Sequence, residues 1–218
     1  MSELLSAALR RPSDQVAPWL LGQRISSDSN EGRVTIELTE VEAYAGLADP
    51  ASHAFRGRTP RTEVMFGPAG RLYLYFTYGM HWCANVVTGR DGEASAVLLR
   101  AGKVVEGVEL ASRRRGDRAA YVALARGPAC LTSALGLARE HNGTDLLQGG
   151  SVRLEASQPR PVTVATGPRV GVSAAADVTW RFWIAGDETV STYRRSKRAG
   201  TPDAPALNRS PPPSGTAH

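Results

Sequence analysis

The stretch RVTIELTEVEAY, residues 33–44, sets the fold class of this 218-residue chain. Apolar and polar residues alternate along its first half, with the two-residue period that is typical of a strand with one buried face. Continuing that period places Glu40, Glu42 and Tyr44 on the apolar side as well. Burying a carboxylate is costly without a partner, so this row is a candidate for chemistry unless a β-bulge resets the alternation.

A β-hairpin is predicted further along the chain, where residues 71–77 and 81–87 read as two strands around Tyr78-Gly79. Gly79 supplies the positive φ that a tight turn needs. The hairpin follows a long connection, residues 47–70, which is rich in Gly, Pro, Arg and Thr. Connections of this length without regular structure are usually functional or disordered.

The rest of the chain mixes helices and strands. Ser13 is a candidate N-cap for the first helix and Gly22 a candidate end, while Pro128 can open a later helix. Helices are predicted over residues 13–21, 102–115 and 128–137, and strands over 94–100, 152–155, 162–165, 169–172 and 181–184. This mixture predicts an α+β fold, a single domain on a twisted, largely antiparallel sheet with a protruding β-hairpin. We expect the domain to span residues 1–196 and to be followed by a disordered, Pro-rich basic tail over 197–218.

Composition narrows the class of protein. The net charge is +5, with basic clusters at residues 113–118 and 194–198, and such clusters favour a polyanion, although solvated basic faces are also common. The cysteines, Cys83 and Cys130, form no CxxC pair, so we expect no zinc site and no disulfide framework. We also expect no metal and no cofactor. With neither a signal peptide nor a membrane span, we expect a cytoplasmic protein, nucleoid-associated if bacterial.

Glu42 is the first candidate for catalysis, because a glutamate held near a pocket can act as a general base. Arg100 ends a different predicted strand and could pair with Glu42 and keep it ionised. A purely structural Glu–Arg pair is the alternative interpretation of the same two residues.

The hairpin holds an unusual density of aromatic residues, namely Tyr73, Tyr75, Tyr78 and Trp82, in a chain with only 6% aromatics. Core packing accounts for those that face inward. A large ring at the turn, such as Tyr78, faces solvent, where exposed aromatics serve as wedges and stacking platforms for bases. The alternative is that Tyr78 folds back onto its own hairpin.

Two further polar residues are candidates for ligand contacts. His53 lies beside several arginines in the long connection and could contact a phosphate or a ligand, or could be an ordinary surface residue. Asn85 lies on the returning hairpin strand and could determine specificity, or could be a satisfied structural side chain.

The order of these motifs is more specific than any one of them. Glu-x-Glu-Ala-Tyr comes first, then a histidine nine residues after the tyrosine, then Arg-Thr-Pro-Arg, Tyr-x-x-Tyr-Gly-Met, an asparagine and Val-Leu-Leu-Arg. Three later segments complete the series: Arg126-Gly127-Pro128, Gly167-Pro168-Arg169-Val170-Gly171-Val172 and Arg181-Phe182. From about Leu20 to Arg194 the chain resembles the alkyladenine (3-methyladenine) DNA glycosylase family.

The resemblance implies a role in base recognition for five residues. Tyr78 matches the hairpin tyrosine that enters the minor groove and fills the hole left by a flipped nucleotide. Tyr44 on one side, with Tyr75 and His53 on the other, would hold the flipped base. Asn85 matches the residue that disfavours guanine through a clash with its exocyclic amine. Electron-rich rings also suit alkylated purines on physical grounds, because 3-methyladenine and 7-methylguanine are cations.

The resemblance also implies the chemistry. Glu42 matches the general base that activates a water against the anomeric carbon, and Arg100 matches the residue that helps Glu42 to hold that water. The transition state is expected to be oxocarbenium-like. The only lysines, Lys103 and Lys197, lie outside the matched pocket, so we expect hydrolysis without strand cleavage. The implied partner is double-stranded DNA that contains damaged purines. We expect the protein to act as a monomer and to have no membrane partner.

The chain departs from the family pattern in three places. Cys130 stands where the family commonly has Lys, His81 replaces what is often an aromatic residue, and the Pro-rich tail has no counterpart. Two other functions stay open at this point. One is a non-catalytic protein that binds damaged DNA on the same fold, and the other is an RNA-modifying enzyme or RNA-binding protein.

Overall fold

The sheet is assembled around one long central strand. The computed structural model describes residues 2–77, 79–157 and 161–200. Within those residues the strands are β1 (Arg24–Ser29), β2 (Gly32–Tyr44), β3 (Leu72–Thr77), β4 (His81–Val87), β5 (Ala96–Glu106), β6 (Val152–Glu155), β7 (Val164–Gly167) and β8 (Arg181–Ile184). The helices are α1 (Ser2–Leu9), α2 (Ser13–Leu20), α3 (Val108–Arg115) and α4 (Pro128–Leu135).

All the strand pairings are antiparallel, and the order across the sheet is β3-β4-β5-β2-β1-β6. The first half of β2 lies between β1 and β5, and its second half lies between β8 and β5. Strand β7 joins the sheet through β8. The predicted α+β fold on an antiparallel sheet is confirmed.

The pairing of β2 with β5 contains a local irregularity that decides where the functional residues point. The register passes from Leu38↔Gly102 to Glu40↔Ala101 and then to Val41↔Leu99, so it skips Thr39 and Arg100. Each strand thus contains one residue without a partner in this pairing, Thr39 on β2 and Arg100 on β5. Such an extra residue forms a β-bulge, and it changes which of the following side chains face the core.

The sheet therefore has two different faces. One face carries the main hydrophobic core, to which β2 contributes Val34, Ile36 and Leu38 before the bulge and Val41 and Ala43 after it. Helices α2, α3 and α4 cover that face. We call the opposite face of β2, β3, β4 and β5, which carries Glu42, Tyr75 and Asn85, the pocket face. The expectation that Glu42 continues the core row is wrong, because the bulge shifts the alternation by one residue.

The long connection before the hairpin is folded. It contains two 3₁₀ helices, Gly46–Ala48 and Glu63–Phe66. A second, smaller cluster of buried residues anchors it to the sheet: Ala54, Met65, Phe66, Tyr73, Val87, Ala94 and Ala96. The connection thus forms one wall of the pocket face.

Two predicted boundaries around β5 are wrong. Residues 102–106 continue the strand, because they pair with β2 as far as Glu106↔Thr35, and the helix begins only at Val108. Gly107 separates the two elements with a φ of 73°. Arg100 consequently lies within β5 and does not end it.

The remaining differences are local. Residues 169–172 form no strand, and β7 starts two residues after the predicted 162, at Val164. The hydroxyl of Ser13 makes no cap hydrogen bond, since Ser13 is already the first helical residue and its Oγ is buried with no partner among the described residues. Helix α1 was not predicted.

Residues 201–218 lie outside the described residues, so the proposed tail over 197–218 stays a prediction for most of its length. Among the helices that the structure describes, none has the length and apolar character needed to cross a bilayer.

Gly102 provides a test of the β2–β5 register. A Cβ at this position would lie 2.4 Å from Ile36 Cγ2 and 2.5 Å from the Glu37 carbonyl oxygen. We predict that Gly102→Ala lowers the free energy of unfolding by about 2 kcal/mol, as overpacking usually does. Gly150→Ala is the control, because its new methyl group would meet only Thr144 Cγ2, at 4.0 Å. Urea unfolding of both variants measures the effect, and equal stabilities would contradict this register.

Candidate active site

The residues singled out in the sequence come together in one pocket of about 490 Å³. It opens between the pocket face of the sheet and two segments, residues 50–53 and 170–174. The predicted residues that line it are Glu42, Tyr44, His53, Tyr75, Asn85 and Arg100. Tyr78 lies outside the described residues, but Thr77 and His81, which pair next to it in the hairpin, line the same pocket.

Glu42 is fully buried and both of its carboxylate oxygens are oriented. The backbone N–H of Val170 donates to Oε1 at 2.7 Å, and the Tyr44 hydroxyl donates to Oε2 at 2.9 Å. Each oxygen has a further lone pair that can accept a proton from a ligand or water. Residues 169–172 therefore contribute a backbone donor where a strand was predicted.

Arg100 lies beside Glu42 but directs its hydrogen bond elsewhere. Its Nε is 3.4 Å from Glu42 Oε1, which makes an ion pair, and it donates to Glu40 Oε1 at 2.8 Å. Burial alone would lower the pKa of Arg100, but the neighbouring Glu42 and Glu40 raise it above its usual value, so the guanidinium stays charged. The predicted Glu42–Arg100 contact exists, and Glu40 is the closer partner.

Aromatic side chains form the walls of the pocket. Tyr75 and His53 meet edge to face, with ring centroids 4.5 Å apart. Burial, reinforced by the charge of Glu42, raises the pKa of Tyr44 well above its usual value, so this hydroxyl remains a hydrogen-bond donor. Burial likewise raises the pKa of Tyr75. Both phenols are therefore neutral in the physiological pH range.

His53 is held neutral at the rim of the pocket. Although part of the residue is exposed, desolvation and then the charge of Arg61 lower its pKa to about 4. Arg61 also donates to the hydroxyl oxygen of Tyr73, and that hydroxyl lies 3.3 Å from His53 Nδ1. This contact ties the His53 ring to Tyr73, and the tautomer of the ring decides which of the two groups donates.

Asn85 lies on β4 and is 4% exposed. Its Nδ2 donates to the backbone carbonyl of Tyr73 at 3.1 Å, so the amide is tied to the neighbouring strand. Because the amide nitrogen is engaged, the side chain cannot turn freely toward a ligand, and it presents a fixed shape at the wall of the pocket.

A second buried ion pair lies behind Tyr44. Arg169 makes a bidentate contact with Asp49, at 2.5 and 2.9 Å, and both side chains are fully buried. The Arg169 guanidinium carbon is 4.7 Å from the centroid of the Tyr44 ring and 5.4 Å from that of Trp180. Tyr44 lines the pocket and Arg169 does not, so the guanidinium covers the ring from behind.

Several residues that hold the site were not predicted from sequence. Two of them could have been expected from the sequence: Glu40 belongs to the same alternating row as Glu42, and Arg169 belongs to one of the later family motifs. Ser191 could not, because its contacts with Glu40 depend on how the chain folds back after β8. At the position of the unusual Cys130, Arg115 Nη2 lies 2.9 Å from the sulfur, so a positive charge is still present there.

The described residues contain no group of three or more His, Cys, Asp or Glu side chains that could hold a metal ion. Cys83 and Cys130 are both free, and Lys103 and Lys197 are not among the residues that line the pocket. The polar side-chain groups that line the pocket are carboxylate, guanidinium, phenol, imidazole, amide, hydroxyl and thiol.

The environment of His53 predicts an unusual titration. We expect a midpoint near pH 4, and we expect Arg61→Gln to move it upward because one of the two causes of the lowered pKa is removed. Arg90→Gln, an exposed arginine in the loop after β4, is the matched control. The unfolded chain binds this proton more tightly, so the group destabilises the folded state as the pH falls from about 6.5 to about 4.

The measurement is an NMR titration of the histidine ring signals, with His53 assigned through His53→Gln. A wild-type midpoint near 6.5, or one that responds equally to Arg61→Gln and Arg90→Gln, would contradict the described geometry.

Comparison with known proteins agrees with the geometry of the pocket. A family model described as methylpurine-DNA glycosylase matches residues 7–188. A protein of Nocardia farcinica is 52% identical over 187 residues, which is 83% of this chain and 86% of that protein. A protein of Streptomyces avermitilis is 51% identical over 188 residues, covering 84% and 88%. A protein of Corynebacterium jeikeium is 48% identical over 202 residues, covering 88% and 92%.

Each of these three relatives carries the name "Putative 3-methyladenine DNA glycosylase". The match extends over most of the chain and includes every residue that lines the pocket. The resemblance drawn from the order of the motifs is confirmed: this chain belongs to the methylpurine-DNA glycosylase family.

Proposed function

We propose that this protein is a monofunctional 3-methyladenine-type DNA glycosylase, which flips an alkylated purine out of duplex DNA and hydrolyses its bond to deoxyribose. Deaminated purines such as hypoxanthine form a second class of substrate. The observation that carries the proposal is the position of Glu42, a fully buried carboxylate in an aromatic pocket. The pocket volume falls within the usual range for sites that enclose small ligands.

The aromatic walls support recognition of a cationic base. Tyr44 on one side, with Tyr75 and His53 on the other, would hold the flipped purine through stacking and cation–π attraction. A positively charged histidine would repel such a base, so the lowered pKa of His53 favours binding at neutral pH.

Glu42 would act as the general base. In the proposed step a water held at the carboxylate attacks C1′, its proton passes to Glu42, and the bond from C1′ to the purine nitrogen breaks. A cationic purine such as 3-methyladenine leaves as a neutral base, so no acid is needed to protonate it. A neutral purine such as hypoxanthine would leave as an anion and take its proton from water. The negative charge of Glu42 also stabilises the oxocarbenium-like transition state.

Asn85 would supply selectivity. Guanine carries an exocyclic amine at C2, which adenine and hypoxanthine lack. We propose that this amine clashes with Asn85 when guanine enters the pocket. The hydrogen bond from Asn85 to the Tyr73 carbonyl supports this role, because it prevents the side chain from moving aside.

Tyr78 would serve as the wedge that fills the vacated base stack. Its neighbours in the turn, Gly79 and Met80, are exposed, so this end of the hairpin is accessible to a duplex. We expect a single chain to suffice for the reaction, because one chain supplies all the proposed residues.

The test of the chemistry is Glu42→Gln. With a duplex that contains one hypoxanthine or one 3-methyladenine, wild type should yield alkali-labile abasic sites, whereas Glu42→Gln should be slower by roughly 10²-fold or more, as expected for loss of a general base. Glu31→Gln, an exposed glutamate between β1 and β2, is the control. If wild type yields no product from any alkylated or deaminated purine, the glycosylase proposal fails. If both proteins bind the lesion but neither exceeds background, a non-catalytic damage-binding protein is favoured.

The test of the wedge is Tyr78→Ala. We predict weaker binding to lesion-containing duplex and a smaller effect on the single-turnover rate at saturating enzyme, because unstacking a base costs a few kcal/mol that the wedge offsets in part. Gel-shift titration and single-turnover excision measure the two quantities separately. Wild-type binding and excision by Tyr78→Ala would remove Tyr78 from the proposed mechanism.

A further inference from the structure

Glu40 is a second buried carboxylate on β2, and the proposed reaction makes no use of it. Its side chain is fully enclosed and accepts four hydrogen bonds. The donors are Arg100 Nε at 2.8 Å, Arg181 Nε at 2.7 Å, the Ser191 N–H at 2.7 Å and the Ser191 hydroxyl at 2.9 Å, with Arg100 Nη2 bonded in turn to that hydroxyl at 3.2 Å.

The hydrogen bonds of Arg100 all lead to this cluster. Its Nε is 2.8 Å from Glu40 and only within ion-pair distance, 3.4 Å, of Glu42. Its Nη2 is fixed by Ser191. The orientation of Arg100 is therefore set by Glu40 and Ser191, while Glu42 is oriented by Val170 and Tyr44.

We propose that Glu40 is the positioning residue for Arg100 in excision: it draws the guanidinium away from Glu42, so that Glu42 stays free to take a proton from water. The inference rests on the glycosylase function proposed above. Without Glu40, Arg100 would turn to Glu42 and form a closer pair, which would favour the ionised form of Glu42 and weaken it as a base.

The charge balance around Glu42 gives the direction of the effect. The charged and titratable groups around Glu42 come from several elements of the fold. They are Arg100 from β5, Cys83 from β4, Tyr75 from β3, Tyr44 and Glu40 from β2, Arg181 from β8 and His53 from the long connection, with Arg169 behind Tyr44. Removing the negative charge of Glu40 leaves an excess of positive charge around Glu42, which favours the ionised carboxylate. Removing the positive charge of Arg181 leaves an excess of negative charge, which favours the protonated carboxyl group.

The experiment measures single-turnover excision of 3-methyladenine against pH, because this cationic base leaves without needing an acid. For Glu40→Gln we expect the acidic limb of the profile to move to lower pH by roughly one unit, and the rate at neutral pH to fall about tenfold, a part of the usual contribution of a general base. For Arg181→Gln we expect the acidic limb to move to higher pH. A merely structural role would lower the rate of both variants without moving either limb.

Glu37→Gln is the matched control, since Glu37 lies on the same strand, pairs with Arg24 at 3.4 Å and is not among the residues that line the pocket. It should leave the profile unchanged. Glu40→Asp keeps the charge but withdraws the carboxylate from Arg100, so it should slow excision and move the acidic limb to lower pH by less than Glu40→Gln does.

An unmoved limb in folded Glu40→Gln, or a shift of the same sign in both Glu40→Gln and Arg181→Gln, overturns the proposal. Should Glu40→Gln fail to fold, Glu40→Asp decides, because a wild-type rate in that variant also overturns it. Lack of excision of every alkylated and deaminated purine by wild type would instead refute the glycosylase function, so the two failures are distinguishable.

Discussion

The structure depends on the mutual neutralisation of four buried charges. Glu40, Glu42, Arg100 and Arg181 are each 6% exposed or less, and they come from three adjacent strands. Each ion costs several kcal/mol to remove from water, and only close opposite charges and complete hydrogen bonding offset that cost. With two carboxylates and two guanidiniums the cluster is balanced, so β2, β5 and β8 must keep this register for the domain to be stable.

The β-bulge at Thr39 and Arg100 makes this arrangement compatible with a hydrophobic core. With a regular alternation, Glu40 and Glu42 would continue the row of Ile36 and Leu38 into the core. The bulge instead gives Val41 and Ala43 the core positions and turns both carboxylates to the pocket face. A single strand can thus support the core over its full length and supply the acidic residues of the site.

Much of the fold followed from the sequence because short-range patterns determined it. The alternation along residues 33–44 and the Gly79 turn predicted β2 and the hairpin correctly. Residues 102–106 were misassigned because their apolar pattern suits a helix or a strand, and pairing with β2 decides between them. The bulge could be considered but not located, since its position depends on the partner strand.

The sequence predicted which residues line the pocket more fully than it predicted the hydrogen bonds between them. The order of the motifs selected Glu42, Tyr44, His53, Tyr75, Asn85 and Arg100, and all six line the pocket. The hydrogen bond of Arg100 to Glu40 could not be foreseen, because it depends on the bulge and on the return of the chain at Ser191. Their individual roles, like that of Tyr78, stay predictions.

The charge of the pocket walls bears on the proposed preference for cationic purines. An aromatic ring attracts a cation only when no uncompensated positive charge lies behind it. Arg169 stacks behind Tyr44, but Asp49 neutralises it through two hydrogen bonds. On the opposite wall His53 is neutral near physiological pH, because its pKa is about 4. Asp49 thus cancels the positive charge behind Tyr44, whereas exposed Arg61, 5.7 Å from the centroid of the Tyr75 ring, places a positive charge near the opposite wall. Tyr44 would therefore be the stronger cation acceptor, and selectivity for alkylated bases would depend on residues that never touch the base.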